Sequence, residues 1–169
     1  MHSFLSKSPE DTTNYADSFA SSLQRNDIVM LIGDLGSGKT QFVKGVCRFF
    51  QVRDTISSPT FVMLHRYEGR DGRDEELLLY HFDLYKVKRE SEILELGYEE
   101  FSQANGICLI EWADKLRELI PHRRAEIRFT LGSTENERRI DIERFPTTRT
   151  NSAVDLPYTK KLQSEHPRY

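Results

Sequence analysis

A lysine and a threonine closing a glycine-rich run are the first residues here equipped for chemistry. Gly33-Asp34-Leu35-Gly36-Ser37-Gly38-Lys39-Thr40 fits the pattern G-x-x-x-x-G-K-[ST]. A triphosphate carries several negative charges, so a protein that holds one must aim backbone N–H groups at it. Glycines allow the backbone angles and close approach this needs. Lys39 supplies a point charge for the β- and γ-phosphates, and Thr40 offers a hydroxyl to Mg2+. A helix starting at Lys39 directs its positive end at the same phosphates. The chain has no N-K-x-D run of the kind guanine readers carry. ATP with Mg2+ is therefore the expected ligand pair, and Asp34, Leu35, Gly36, Ser37 and Gly38 form its cradle with Lys39 and Thr40. Two acids follow apolar runs: Asp83 after Leu77–Phe82 and Glu111 after Ile107–Ile110. Ligands of open α/β sheets bind beyond the carboxyl ends of the strands, so both acids are placed to reach Mg2+ or an attacking water. Ser57-Ser58-Pro59-Thr60 is a loop signal, and Ser58-Pro59-Thr60-Phe61 lies where P-loop proteins often sense the γ-phosphate, with the Thr60 hydroxyl available to the metal. His65 and His81 fall within strands and read as structural side chains.

The elements that must position these groups are legible from periodicity. Ser8 caps a helix with Pro9 in its first turn and Asp11 three residues after the cap, and Tyr15, Phe19 and Leu23 give it one apolar face. Arg25–Asp27 is a turn, and Ile28–Ile32 is a strand covered on both faces. The helix from Lys39 places Phe42, Val46, Phe49 and Phe50 to one side. Phe61–Tyr67 predicts a strand, Glu68–Glu76 an exposed hairpin loop around Asp71-Gly72, and Leu77–Phe82 the returning strand. Glu90–Gln103 has a helical pattern interrupted at Gly97, Ile107–Ile110 is a buried-type strand, and Ala113–Ile120 is a short helix stopped by Pro121. Glu126–Leu131 and Arg138–Phe145 alternate apolar and polar residues and predict an antiparallel hairpin. The expected fold class is α/β, a three-layer P-loop NTPase-like sandwich around a mixed parallel and antiparallel sheet. Residues 1–145 form the ATPase domain, and residues 146–169 read as a polar, loosely packed or disordered tail.

Composition narrows the function classes. The 169 residues carry a net charge of −3, with 37% hydrophobic and 30% charged side chains, which describes one soluble globular domain. A protein that grips nucleic acid by itself usually shows a basic surplus, so any RNA contact is expected to be local or made through a partner. Cys47 and Cys108 lie in apolar segments and read as small buried hydrophobes in a reducing cytosol rather than a disulfide. No basic-then-apolar leader and no apolar run of membrane-spanning length is seen, so a cytoplasmic location without membrane partners is expected.

Five motifs in order are more specific than the loop alone: Gly33–Thr40, Ser58-Pro59-Thr60-Phe61, His81-Phe82-Asp83-Leu84-Tyr85, Glu95-Leu96-Gly97-Tyr98 and Ile110-Glu111-Trp112. Together they resemble the bacterial TsaE family, also known as YjeE, over roughly residues 8 to 145. The resemblance implies a small ATPase needed for threonylcarbamoyladenosine, a modification next to the anticodon of tRNAs that read codons beginning with A. It implies partners TsaD, the transferase, and TsaB, whose complex stimulates a hydrolysis that is weak alone; tRNA is met indirectly through that complex. Carried over by position, Thr40 ligates Mg2+, Glu111 is a metal-side acid, and Asp83 is the second acid near the nucleotide. Thr60 sits in the switch segment, Thr12 and Arg138 lie near the nucleotide, and Trp112 packs beside the site or faces a partner. Lys39, Asp83 and Glu111 are thus the expected catalytic set. Ser37 stands where alanine is common in the family, and Glu68–Glu76 is unusually charged.

Three other readings are set against this one. A small-molecule P-loop kinase needs an arginine-bearing lid, and no lid-like segment surrounds Arg123-Arg124 or Arg138-Arg139. A GTPase lacks its guanine motif here. A non-catalytic ATP sensor differs from the ATPase in showing no hydrolysis under any condition.

Overall fold

Ile28–Ile32 is apolar at every position because both of its faces are covered. In the structure, a computed structural model that describes residues 2–146, this segment is strand β2, and it lies at the middle of a seven-stranded sheet. Numbered along the chain, the elements are β1 (His2–Ser6), α1 (Pro9–Ala20), β2 (Ile28–Ile32), α2 (Lys39–Phe49), β3 (Leu64–Arg70) and β4 (Glu76–Asp83). Then come α3 (Glu90–Glu95), α4 (Tyr98–Ser102), β5 (Ile107–Glu111), a 3-10 segment (Ala113–Leu119), β6 (Arg124–Leu131) and β7 (Arg138–Phe145). The sheet order is β1-β7-β6-β2-β5-β4-β3. The central strands β6, β2, β5 and β4 run parallel; β7 and β3 run opposite to them on either side, and the rim strand β1, antiparallel to β7, runs in the central direction again. The α/β class and the mixed sheet stand as expected.

The alternation of β2 divides the core in two. Val29 and Leu31 face α1 and α2, packing with Phe42, Val46 and Ile127. Met30 and Ile28 face α3, α4 and the 3-10 segment, packing with Phe82, Ile110 and Tyr98. Each of the larger side chains is worth about 1.5–3 kcal/mol when fully buried. Helix α1 is capped by Ser8, whose side chain accepts from the Asp11 N–H at 3.0 Å. Helices α1 and α2 approach closely at Gly45, where an added methyl would lie 2.2 Å from the Thr13 carbonyl oxygen.

Several boundaries differ from the sequence expectations. β1 was not anticipated; it pairs with β7 along the rim of the sheet, and its residues outside Ser6 keep solvent contact, so it shows no alternation. β3 begins at Leu64 rather than Phe61. Thr60–Met63 is a turn in which the Met63 N–H returns to the Pro59 carbonyl and Met63 takes φ 62°, leaving Phe61 and Val62 exposed. The charged hairpin loop is shorter than Glu68–Glu76, because ladder pairing continues to Arg70↔Glu76. β6 opens at Arg124, two residues early, and the segment after Trp112 is a 3-10 helix kinked at Arg117. Phe49 points outward, while Phe42, Val46 and Phe50 are buried. The break at Gly97 separates α3 from α4 as expected. The tail expected at residues 146–169 lies, apart from Pro146, outside the described residues.

Candidate functional site

The carboxyl ends of β2, β4 and β5 open into one cleft of about 450 Å3, within the range of small-molecule sites. Its walls come from the loop between β2 and α2, the first turn of α1, the ends of β4 and β5, the 58–60 segment and the start of β7. The loop's shape depends on glycine. Gly38 takes φ 100° at the cap of α2, and a methyl on Gly33 would fall 2.8 Å from the Phe129 carbonyl oxygen. Both positions are therefore closed to larger residues.

Lys39 is buried under Trp112, with Nζ 4.1 Å from the centre of an indole ring. The ammonium donates to the Gly33 carbonyl at 2.7 Å and the Asp34 carbonyl at 2.8 Å. Burial lowers its pKa below the ordinary value, opposed first by Glu111 and then by Asp83. Thr40, one residue on, donates its hydroxyl to Glu111 Oε1 at 2.8 Å. The same oxygen lies 2.9 Å from His81 Nε2. Asp83 stands opposite Glu111 in the parallel pairing of β4 with β5. Its Oδ2 accepts from the hydroxyls of Thr60, at 2.6 Å, and Ser58, and its Oδ1 accepts from the Tyr85 N–H at 2.9 Å. Asp83 thus ties the 58–60 segment to the end of β4.

Every residue expected at the site lines this cleft except Asp34, which contributes only its carbonyl to Lys39. Thr12 reaches it from α1 as a buried side chain, and Arg138 from β7, where its guanidinium donates to the Gly36 carbonyl at 3.1 Å. Sequence reasoning did not single out Ser8, Pro9, Gln41, Tyr85 and Asn136 as lining residues. Tyr85 was in view as the residue two after Asp83, and its ring packs on Trp112 with centroids 5.0 Å apart. Ser8 caps α1, and a cap at the entry to a helix bordering the loop is the sequence signal for its place here. His81 was read as a strand side chain. Its place two residues before Asp83, on the same face of β4, was the signal that it reaches Glu111.

Chemically, the cleft combines a lysine ammonium, loop N–H groups at a helix start, a hydroxyl next to a carboxylate, and a second carboxylate held by hydroxyls. Such a set can take up a polyphosphate together with a hard cation. The fit to Mg2+ rests on the donor chemistry. Thr40 and Glu111 already meet as a hydroxyl and a carboxylate, two hard oxygen donors at the start of α2 and the end of β5. Such a pair would suit a magnesium ion held by one or two protein oxygens and the phosphates of its substrate.

The family model described as "Threonylcarbamoyl adenosine biosynthesis protein TsaE" matches residues 6–140. The chain belongs to the TsaE family. It is 38% identical over 141 residues to the TsaE protein of Rickettsia prowazekii, covering 83% of this chain and 91% of the relative. It is 38% identical over 119 residues to that of Bacillus subtilis, covering 70% and 71%. Both relatives carry the name tRNA threonylcarbamoyladenosine biosynthesis protein TsaE. The crystal structure of Bacillus subtilis YdiB superposes with a TM-score of 0.70 at 29% identity, over 86% of each chain. Membership in the TsaE family agrees with the resemblance drawn from the five motifs, and the matched span includes every residue of the cleft named above.

Proposed function

We propose that this chain is an ATP-binding and ATP-hydrolysing subunit that supports the TsaD–TsaB complex in forming threonylcarbamoyladenosine next to the anticodon of tRNA, in the cytoplasm. The role in this biosynthesis follows the family and the names of its relatives. The observation that carries the ATPase reading is the Thr40–Glu111 contact at 2.8 Å, directly beside the lysine of the glycine-rich loop. No helix of the described residues is long and apolar enough to cross a membrane.

The chain's own residues divide the work. Loop N–H groups and the start of α2 bind the phosphates, and the Lys39 ammonium, held at rest on two loop carbonyls, transfers to phosphate oxygens. Thr40 and Glu111 would hold Mg2+, which would supply positive charge toward the phosphates when bound. Asp83, with Ser58 and Thr60, holds the segment that faces the γ-phosphate. Hydrolysis is the attack of water on the γ-phosphorus; the bond to the β-phosphate oxygen breaks, giving ADP and inorganic phosphate. Thr12 and Arg138 border the nucleotide from the same rim, since Ser6, which meets the Thr12 hydroxyl at 2.8 Å, pairs with Arg138 across β1 and β7. Trp112 covers Lys39 and shields the reacting groups from bulk water.

The deciding experiment measures ATP hydrolysis by the purified chain, alone and with TsaD and TsaB from the same source. Slow hydrolysis alone and a clear rise with the two partners is expected. Intact ATP binding without any rise overturns the partner-stimulated ATPase and leaves a nucleotide sensor or a kinase.

A further inference from the structure

The ring of His81 is fully buried, and its two nitrogens fare differently. Nε2 lies 2.9 Å from Glu111 Oε1, whereas Nδ1 is the buried side-chain polar atom left without a hydrogen-bond partner among the described residues. A carboxylate only accepts, so Nε2 carries the hydrogen and Nδ1 is the unpaired atom. Leaving a buried polar atom unpaired forfeits its hydration with nothing in return. A leucine at this place would fill much of the same volume in the core facing α2 without that cost. The bond at Nε2 is what the histidine supplies and leucine would not.

That bond has a directional consequence. Glu111 Oε1 receives two donors, Nε2 of His81 from β4 and the hydroxyl of Thr40 from α2. Two donors from different elements fix the carboxylate plane. Glu111 Oε2 makes no hydrogen bond among the described residues and is not one of the buried unpaired atoms, so it keeps access to the cleft. The pairing of β4 with β5 sets this up: Asp83 is opposite Glu111, and His81 projects from the same face of β4 one pleat earlier, just behind the carboxylate. From the geometry we infer that His81 is a positioning residue for Glu111, holding the carboxylate with its free oxygen turned to the cation that accompanies the nucleotide. The inference deepens the proposed function and rests on its reading of Glu111 and Thr40 as the magnesium side of the site. Partners of this kind, which orient a ligand without touching the metal, typically change metal affinity 10–100-fold when removed.

The test uses the full chain and the emission of Trp112, the sole tryptophan, which lines the cleft. ATP affinity is measured in EDTA and across a Mg2+ titration, for the wild-type chain, His81→Leu, His81→Gln and His81→Asn. Glutamine places an N–H near the position of Nε2, while asparagine is too short. His81→Leu and His81→Asn are expected to need about 10-fold more Mg2+ for half-maximal effect, with ATP affinity in EDTA unchanged and kcat lowered more than KM is raised. His81→Gln should recover most of the loss. In a Glu111→Gln background, His81→Leu should add nothing further, because the group it positions is gone. An unchanged Mg2+ requirement in a folded His81→Leu chain overturns the inference, as does equal weakening of ATP binding with and without Mg2+. If the leucine variant does not fold, the glutamine and asparagine pair decides, and equal behaviour of those two overturns it. Failure of all three to fold makes His81 a core residue only and also overturns it. The wild-type titration separates the levels: ATP affinity indifferent to Mg2+ in the unaltered chain refutes the proposed function itself, whereas a normal wild-type response with unaffected variants refutes only the role of His81.

Discussion

Adding one methyl group between α1 and α2, by Gly45→Ala, tests whether the fold holds the cleft together in the way described. The new carbon would lie 2.2 Å from the Thr13 carbonyl oxygen, 2.6 Å from Ala16 Cβ and 3.1 Å from the Asp17 nitrogen. Two of these are backbone atoms of α1 and cannot rotate aside, so the helices must part by about 1 Å or more to restore ordinary contact distances. Overpacking of this kind costs about 1–3 kcal/mol, and the better helix propensity of alanine returns up to about 1 kcal/mol. With a backbone oxygen as near as 2.2 Å the cost lies in the upper part of that range, so a net loss of about 1–2 kcal/mol lowers the melting temperature by about 2–8 °C for a domain of this size. The same movement draws Ser8, Pro9 and Thr12 away from the glycine-rich loop, so ATP affinity should weaken together with stability. Calorimetry and ATP titration of Gly45→Ala are compared with Gly72→Ala, where a methyl meets nothing within 4 Å and stability should stay within about 0.5 kcal/mol. A Gly45→Ala chain that melts at or above the wild-type temperature refutes the reasoning.

Lys39→Ala removes the ammonium from the loop, and both ATP binding and hydrolysis should vanish in a filter or fluorescence assay; normal activity would contradict the P-loop assignment. Asp83→Asn takes away the carboxylate that accepts from Ser58, Thr60 and the Tyr85 N–H. Partner-stimulated kcat should fall on the order of 100-fold while ATP affinity in EDTA holds, and an undiminished kcat would remove Asp83 from the mechanism. Burial pushes the thiols of Cys47 and Cys108 up to about 12, from an ordinary value of 9.0. A pKa raised on folding gives stability that is complete below the unfolded value and drains as pH climbs toward the folded one. The urea midpoint should therefore drop as pH rises from about 9 toward about 12, and drop less in a Cys47→Ala/Cys108→Ala chain; equal slopes would refute the assignment.

How far the sequence was readable depended on burial. β2 and β5 are covered on both sides, so their continuous apolar runs announced them within a residue, and the acid after Ile107–Ile110 fell where the cleft opens. The glycine-rich loop carries its own local signal, and its geometry came with it. Phe61 and Val62 misled because apolar residues read as strand when nothing shows that they are exposed; the turn set by Pro59 and Met63 won over their propensity. β1 was hidden for the opposite reason, being a short rim strand whose pairing is tertiary and leaves no period in the chain. The role of His81 was out of reach because it depends on which strand lies beside β4, and a single sequence does not print strand order. Trp112, left open between packing beside the site and facing a partner, lies over Lys39 in a left-handed backbone conformation.

The pairing of β1 with β7 has a consequence during synthesis on the ribosome. His2 is matched with Ile142, so β1 is made well before β7, the strand it pairs with. At about 5–20 residues per second that delay is on the order of ten seconds. Meanwhile the β2 strand also lacks β5 and β6, its neighbours on either side. Thr12, in the helix that follows β1, and Arg138, at the start of β7, come together on one rim of the nucleotide cleft only when these two strands pair. A nascent chain with its glycine-rich loop already complete is still unable to form the whole cleft, so nucleotide capture is delayed until translation has passed β7.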